Sequence, residues 1–472
     1  MPEHVRTDLA DWTATELLTA YRSKEVSPVE ATTAALDRIS KFNPEFNAFC
    51  LVDAESALRQ ARESEQRWRA GTPVGKLDGV PSSIKDLLLT KGWPTLRGSK
   101  LIDADAAWNE DAPVTARMRE AGAVLLGKTT TPEFGWKGVT DNPLTGNTGN
   151  PWDSTKTSGG SSGGSAVAPA LGMGPLSVGT DGGGSVRIPA AFSGVVGIKP
   201  TYGAVPVYPP SPFGTLSHAG PMTKTVADNA LLLDVLSGFD SRDWSAMPRP
   251  ALSYTSVLDK GVKDLRIGYC RGSGLADVDP EVAAASARAV EVLRALGARV
   301  DDVDVSFPDA QWAYHVLWFS GAAKVVDGYP RERLNEIDPN LLEIAEEGRS
   351  YSARNYVDAN AVRASLGMAM GSFHERYDLL ATPSVPIPAF EIGEEVPVGS
   401  GMKRWTDWTP FSYPFNLTQQ PAISVPCGLT STGLPIGLQL VAARHEDALL
   451  MQAANAYALA EPFGLPPVVT AG

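Results

Sequence analysis

Short apolar runs alternate along this chain with segments of helical pattern, and no other feature limits the possible folds so strongly. The clearest runs are AVLLGKT (123–129), PLSVGT (175–180), LLATPSVP (379–386), AISVPCG (422–428) and IGLQLVA (436–442). Such runs are typical of strands that are buried on both faces, as in sheets covered by helices. The sequence therefore predicts an α/β fold in which a central mixed β-sheet is covered by helices on both faces.

Helix signals lie between these runs. In SPVEATTAALDRIS (27–40), serine is a good N-cap, proline occupies the first helical position and glutamate completes a capping box. A second helix is predicted in DPEVAAASARAVEVLRALGA (279–298), which follows a strand pattern at 264–270 and precedes another at 298–305. That order predicts a βαβ unit.

Length and composition favour one large domain over 1–472. The chain has 472 residues, of which 43% are hydrophobic and 20% are charged, as in a folded globular protein. Only the stretch at about 239–262 has the character of a linker, and strand patterns resume on both sides of it. We therefore expect a surface excursion there and not a boundary between two domains.

Charge, cysteine and histidine content argue against several classes of function. The formal net charge is -13 and the pI is about 5.0. A phosphate backbone attracts clustered positive charge, so no nucleic-acid partner is expected. The chain shows neither an apolar run of about 18 residues nor a signal-peptide pattern, so we expect a cytoplasmic protein without a membrane partner. Its three cysteines and five histidines are scattered, so neither a metal nor a cofactor is expected.

Two stretches of glycine and serine are either flexible linkers or parts of a site. SGGSSGGS (158–165) runs directly into the small, apolar segment SAVAPALGMGPLSVGT (165–180), which is unlike the sequence that follows a linker. TDGGGS (180–185) follows a predicted strand, where successive N–H groups can form an anion-binding turn. The phosphate-loop patterns are missing, which leaves an oxyanion hole beside a serine nucleophile. Asp181 and Arg187 flank this turn and are expected to pair with each other.

A serine nucleophile needs a base, and no histidine lies near these stretches in the sequence. A lysine that burial keeps neutral can serve instead. Lys85 in GVPSSIKDLLL (79–89) is the candidate, because it ends an apolar run. The amides of Gly183, Gly184 and Ser185 would then stabilise the charge on the attacked carbonyl oxygen.

Six motifs, occurring in order, resemble the amidase signature family. They are GVPSSIKD (79–86), GKTTTPEFGW (127–136), SGGSSGGSAVAPALG (158–172), GTDGGGSVRIPAAFSGVVGIKPTYG (179–203), SHAGPMTKTVAD (217–228) and QPAISVPCG (420–428). The resemblance extends over nearly the whole chain and is weakest at about 239–400. It implies a triad in which Ser185 is the nucleophile, Lys85 is the base, and Ser161, after a cis peptide bond, bridges the two.

The resemblance also sets the register of the two turns. Ser161 precedes Ser185 by 24 residues, as the family pattern requires, whereas Ser162 and Ser165 are out of register. The implied oxyanion hole consists of the backbone N–H groups of Gly182, Gly183, Gly184 and Ser185. Within the single domain, the resemblance implies a helical segment at about 1–70, a motif core at about 71–230 and a variable part at about 231–400 that lines the substrate pocket.

The activity implied by the resemblance is hydrolysis of a small-molecule amide through an acyl-enzyme, by a monomer or a homodimer without a cofactor. Carbamates and esters are compatible substrates, since the same machinery attacks their carbonyl carbon. The family also contains the amidase component of a tRNA-dependent amidotransferase, in which the turn usually continues as SxRQP, whereas Ile188 follows Arg187 here. A catalytically silent binding protein is a third interpretation, which the three filled triad positions disfavour.

Substrate class must be inferred from less specific residues. Aromatic side chains are frequent in segments expected near the site, and they either pack in the core or line an apolar pocket. The candidate substrate-binding residues are Phe134, Trp136, Gly159, Tyr208, Phe213, Trp318 and Phe415. An aromatic-lined pocket favours aryl or long-chain amides over small charged ones.

Overall fold

A mixed β-sheet lies at the centre of the fold, as the alternation of apolar runs and helical segments predicts. The computed structural model describes residues 8–272 and 277–470. Within them the strands are β1 (Phe49–Val52), β2 (Pro81–Lys85), β3 (Val124–Thr129), β4 (Asp141–Asn142), β5 (Gly146–Asn147), β6 (Gly149–Asn150), β7 (Asp153–Thr157), β8 (Leu176–Asp181), β9 (Val196–Lys199), β10 (His218–Thr223), β11 (Arg266–Tyr269), β12 (Arg299–Asp302), β13 (Leu379–Pro383), β14 (Ala422–Leu429) and β15 (Pro435–Ala442).

Eleven of these strands form the central sheet, in the order β1-β3-β2-β8-β10-β9-β14-β15-β13-β11-β12. The pairs β3-β2, β2-β8, β13-β11 and β11-β12 are parallel, whereas the other pairs in the sheet are antiparallel. Strands β4 with β5 and β6 with β7 form two small separate sheets. The prediction of a mixed sheet is confirmed, and each of the five apolar runs overlaps one of its strands.

Helices cover the sheet. They are α1 (Ala14–Ser23), α2 (Pro28–Phe46), α3 (Ala54–Ala70), α4 (Pro113–Glu120), α5 (Gly163–Ala170), α6 (Arg187–Ser193), α7 (Val226–Leu236), α8 (Pro280–Ala295), α9 (Ala310–Val326), α10 (Pro339–Ser350), α11 (Ala353–Arg376), α12 (Pro414–Leu417), α13 (Asp447–Ala460) and α14 (Pro467–Thr470). Short 3-10 helices span Leu9–Asp11, Glu133–Gly135, Gly214–Leu216, Tyr254–Lys260, Arg331–Glu336 and Trp405–Trp408. Among the described residues, no helix combines the length and the apolar character that crossing a membrane requires.

The two helices predicted from their caps are present. Helix α2 begins at Pro28, and Ser27 and Glu30 form the predicted capping box. Helix α8 begins at Pro280 after the Asp279 N-cap, and it connects the parallel strands β11 and β12 as a βαβ unit. The fold is a single-domain α/β architecture, since strands from both halves of the chain hydrogen-bond within one sheet.

The stretch predicted to have linker character is a surface excursion that packs on the domain. The backbone N–H of Val207 donates to the Asp243 carboxylate at 2.8 Å, and the N–H of Met247 donates to Gly203 O at 2.8 Å. Trp244 is nevertheless 85% exposed, which is unusual for a tryptophan. The excursion therefore supports the segment at 203–207 from outside.

Candidate active site

Two neighbouring parallel strands bring the predicted triad residues to one edge of the sheet. Lys85 is the last residue of β2, which is buried along its whole length, and β8 ends at Asp181 beside it. Because the carboxyl ends of parallel strands meet at the same edge, Lys85 lies next to the turn that follows β8. The start of α5 completes this edge, since the N–H of Ser162 donates to Ser185 O at 3.1 Å.

The Lys85 amine lies among three hydroxyl groups and has no exposed surface. Its Nζ is 2.6 Å from Ser161 Oγ, 2.8 Å from Ser162 Oγ and 2.9 Å from Thr180 Oγ1. Burial lowers the pKa of the Lys85 ammonium well below its usual value, although the Asp181 carboxylate acts in the opposite direction. No carboxylate of the described residues forms an ion pair with Lys85, which distinguishes it from an ordinary buried lysine.

The turn before Ser161 has a backbone that only glycine can occupy. The peptide bond between Gly160 and Ser161 is cis. A Cβ atom at Gly160 would lie 2.3 Å from the carbonyl oxygen of Val139, so the backbone approaches its neighbour too closely for any side chain. Gly159 has a φ of +75° and its carbonyl accepts a hydrogen bond from Thr140 at 2.8 Å. The glycine-rich stretch is therefore a buried, hydrogen-bonded turn and not a linker.

A buried ion pair fixes the turn before Ser185. Arg187 Nε donates to Asp181 Oδ2 at 2.9 Å and Arg187 Nη2 donates to Asp181 Oδ1 at 3.0 Å, so the expected pairing is present. The guanidinium also donates to Ser412 O, Gln439 Oε1 and Asn416 Oδ1. Burial alone would raise the pKa of the Asp181 carboxyl, but Arg187 and Lys199 outweigh it and hold that pKa well below the usual range.

The four amides predicted for the oxyanion hole differ in their availability. Gly184 N–H donates to Asp181 Oδ1 at 2.8 Å, so this amide is already engaged, contrary to its expected role. The amides of Gly182, Gly183 and Ser185 have no hydrogen-bond partner among the described residues. A Cβ at Gly182 would lie 2.5 Å from the Trp318 ring. Three backbone N–H groups at the turn are therefore free to donate to a ligand. The Trp318 ring packs so closely on position 182 that only glycine fits there.

A cavity of about 710 Å³ opens onto this turn, and Ser161, Gly182 and Ser185 contribute to its lining. Aromatic side chains form much of its wall. The Phe213 and Trp318 rings stack with centroids 3.7 Å apart, and Phe134 packs on Tyr329 with centroids 5.6 Å apart. A cavity of this size accommodates a drug-sized molecule next to Ser185.

Four of the seven predicted substrate-binding residues line this cavity, and three do not. Those that line it are Phe134, Tyr208, Phe213 and Trp318. Trp136 is fully buried behind the wall, where its indole N–H donates to Asp338 at 3.2 Å and its carbonyl accepts from Trp318 at 3.0 Å. Phe415 packs edge-on against Phe307 in the core, and Gly159 is buried in the turn before Ser161. Trp136 therefore supports the lining residue Trp318 from behind, whereas Phe415 and Gly159 are core positions.

Sequence reasoning missed several residues at the site. Thr180 and Ser162 contact the Lys85 amine, although register alone excluded Ser162. Thr180 is the penultimate residue of β8, so pairing β8 with β2 would have predicted its position. Arg97 and Tyr329 line the cavity without belonging to any of the six motifs, and no sequence signal marked them.

Comparison with known proteins shows the family of this chain. The family model described as Amidase matches residues 30–451. The chain is 38% identical over 459 residues to an acylamidase of Rhodococcus erythropolis, covering 95% of both chains, and 36% identical over 478 residues to a component of the glutamyl-tRNA(Gln) amidotransferase of Chloroflexus aggregans, covering 96% of both. The crystal structure of a bacterial aryl acylamidase superposes with a TM-score of 0.89 at 31% identity, covering 96% of both chains. This chain belongs to the Amidase family of amidase signature enzymes.

Proposed function

We propose that this protein hydrolyses amides of aryl or other hydrophobic groups, with Ser185 as nucleophile, Ser161 as bridging serine and Lys85 as base. One observation carries the proposal. A buried lysine amine without an ion-pair partner in the described chain lies 2.6 Å from the Ser161 hydroxyl, and Ser161 and Ser185 line the same aromatic cavity. The test is a panel of anilides, alkyl amides, amino-acid amides and aryl carbamates, offered to the purified protein and to Ser185→Ala.

The hydrogen bonds around Lys85 support the assignment of Ser161 as its proton donor. The Ser162 hydroxyl donates to Thr180 O at 3.0 Å, so it can only accept from the amine. A neutral amine has two N–H donors and one lone pair. If the two N–H groups go to Ser162 and Thr180, the lone pair accepts the Ser161 hydroxyl at 2.6 Å. Ser161 is then the hydroxyl that can transfer its proton to Lys85.

The reaction follows from this proton path. The Ser185 hydroxyl gives its proton to Ser161 as Ser161 gives its own to Lys85, and Ser185 Oγ bonds to the carbonyl carbon. The oxyanion that forms accepts from the free amides of Gly182, Gly183 and Ser185. When the carbon–nitrogen bond breaks, the proton on Lys85 returns through Ser161 to the leaving amine. Water then attacks the acyl-enzyme by the same path, which releases the acid and restores Ser185.

The aromatic wall indicates the substrate class. An acylamidase and an aryl acylamidase are among the relatives, and the cavity of this chain presents Phe134, Tyr208, Phe213 and Trp318 to a bound molecule. Flat rings stack favourably on such side chains. Carbamates and esters with aryl groups fit the same description, because Ser185 would attack their carbonyl carbon in the same way.

We expect kcat/KM for N-benzylacetamide to exceed that for N-propylacetamide by roughly ten- to a hundredfold. Both substrates release a primary alkylamine and not an aniline, so the ratio reports mainly ring burial, which contributes about 1.5 to 3 kcal/mol. Phe213→Leu should lower the ratio, because Phe213 stacks on Trp318 in the cavity wall. Phe463→Leu is the matched control, since that ring packs on Trp152 outside this cavity. Equal rates for both substrates would contradict an aromatic wall that binds the leaving-amine side of the substrate.

The rate of amide hydrolysis should fall in acid. Burial lowers the pKa of Lys85, so its neutral form persists well below the usual lysine range and is lost as the pH falls through the lowered value. Below that pKa, kcat/KM should fall about tenfold per pH unit, because a protonated amine has no lone pair for the Ser161 proton. Steady-state rates between about pH 5 and pH 10, with circular dichroism to verify folding, test this. A rate that rises on acidification would exclude Lys85 as the base.

A component of an amidotransferase complex is the second candidate function, favoured by the 36% identity to the amidotransferase protein of Chloroflexus aggregans over almost the whole chain. Ile188, which is fully buried against Gly159 and Gly184, occupies the position where that branch usually has glutamine. The two functions differ in what the isolated chain does. Turnover of aryl amides by the purified protein alone supports the hydrolase, whereas ammonia release from glutamine only in the presence of partner proteins would support the alternative.

A further inference from the structure

The cavity beside Ser185 carries positive charge in an acidic protein. Of the described residues that line it, Arg97 and Lys324 are cationic, and none is an aspartate or a glutamate. His218 also lines the cavity, but burial and the neighbouring Lys199 hold its pKa well below the usual value. The whole chain has a formal net charge of -13, so the positive lining is a local feature.

Neither cation has a counter-ion within the described residues. The guanidinium of Arg97 and the ammonium of Lys324 form no ion pair and no side-chain hydrogen bond there, whereas Arg187 at the neighbouring turn makes five hydrogen bonds. The acidic residue nearest in sequence to the cavity-lining Phe134 is Glu133. Its carboxylate is buried and accepts from Ser99 and from the N–H of Asp338, so it is directed away from the cavity. Both cations are therefore available to a ligand.

Helix α9 and the segment whose backbone pairs with Phe134 each contribute one cation to the cavity, where Lys324 is exposed and Arg97 is half-buried. The Trp318 ring lies against Gly182 at the oxyanion turn, and Lys324 follows six residues later on the same helix. At 1.5 Å per residue, Lys324 is about 9 Å farther along the helix axis. Arg97 is adjacent to the other aromatic pair, since its carbonyl accepts the N–H of Phe134 at 2.8 Å. The far substituent of a ring held by the aromatic side chains would thus lie in a cavity whose charged lining residues are both cationic.

We propose that the cavity selects aryl amides that carry a carboxylate on the ring, at the end opposite the scissile bond, with Arg97 and Lys324 as the residues that recognise it. This inference rests on the proposed function, because it specifies the substrate of the same site. A carboxylate accepts charge-assisted hydrogen bonds from both side chains, and from the arginine in a bidentate manner. A neutral ring would offer neither cation a counter-charge.

The test compares N-acetyl-para-aminobenzoate with N-acetyl-para-toluidine, which has a neutral methyl group in place of the carboxylate. At low ionic strength, kcat/KM for the acid should exceed that for the toluidide about tenfold, and the ratio should shrink in high salt. In the Arg97→Gln/Lys324→Gln variant the ratio should fall to about one. Lys260→Gln, which removes one exposed positive charge elsewhere, should leave the wild-type ratio unchanged. A ratio of one in the wild type, or one that the double variant retains, overturns the inference while hydrolysis itself stands.

A binding measurement separates the inference from the proposed chemistry. In Ser185→Ala, calorimetry should show that N-acetyl-para-aminobenzoate binds about tenfold more tightly than the toluidide, and that the preference disappears when Arg97 and Lys324 are also replaced. Equal affinity for the two compounds overturns the selection of a carboxylate, whatever the turnover assays show. Preferential binding without turnover of any amide by the wild type would instead contradict the proposed hydrolase and leave the anion selectivity in place.

Discussion

Ser185→Ala is expected to lower kcat for the best aryl amide by at least about ten-thousandfold, with no loss of fold. Without the hydroxyl there is no acyl-enzyme, and the free amides at the turn can supply only the residual rate of oxyanion stabilisation. Ser161→Ala and Lys85→Ala should also remove a large part of the activity, because each interrupts the path along which the Ser185 proton leaves. Steady-state kinetics and thermal unfolding of the three variants measure these effects.

Two other serines of the same glycine-rich turn and helix serve as matched controls. Ser165 is buried like Ser161, but its hydroxyl lies 2.6 Å from Thr129 Oγ1 and does not contact Lys85. Ser165→Ala should therefore retain most of the activity. Ser162→Ala removes an acceptor of the Lys85 amine without touching the Ser161 hydroxyl, so its loss should be smaller than that of Ser161→Ala. Near wild-type turnover in Ser185→Ala, combined with an inactive Ser162→Ala or Ser165→Ala, would show that the register is wrong.

The elements of the fold were predictable where the burial of a segment determines the order of apolar and polar residues along the sequence. Strands such as β3 and β15 are buried at every position, so their sequences are mostly apolar and show no alternation of apolar and polar residues. Helix α8 was predictable from local chemistry, because its Asp279 cap and following proline act within a few residues. Strand order is different, since it depends on pairings between distant segments such as β9 with β14, and no local pattern encodes them.

The candidate site divides in the same way. Ser161 and Ser185 lie in stretches whose glycine content reflects backbone contacts too close for a side chain, so composition indicated them, whereas Lys85 was indicated by its place at the end of an apolar run. The residues of the cavity wall have no comparable signal in the sequence. An aromatic residue occurs in the same sequence pattern whether its side chain faces a cavity or the core. Trp136 and Trp318 are both buried and hydrogen-bonded to each other, yet only Trp318 lines the cavity. Distinguishing them required the position of helix α9, which arises from tertiary packing.

Arg187→Met is expected to lower the free energy of unfolding by about 3 to 5 kcal/mol, the largest stability effect that we predict for a single replacement. Removing one partner of a buried pair leaves the other charge without compensation. The Asp181 carboxylate has no exposed surface, and the loss of Arg187 also leaves Ser412 O, Gln439 Oε1 and Asn416 Oδ1 short of a donor. Urea unfolding at pH 7 measures the difference.

Two comparisons distinguish this effect from the loss of an ordinary ion pair. Arg266 pairs with Asp378 at 2.7 Å on the surface, where the two side chains are 46% and 26% exposed, so Arg266→Met should cost only about 0 to 1 kcal/mol. The pKa of Asp181 is depressed in the fold, so the stability it contributes in the wild type is present above its unfolded pKa and is lost as the pH falls through the folded one. In Arg187→Met, protonation of Asp181 relieves the uncompensated charge, and the deficit relative to the wild type should therefore shrink from pH 7 toward about pH 4. A deficit no larger than that of Arg266→Met, and independent of pH, would mean that the Asp181–Arg187 pair does not hold the turn that carries Ser185.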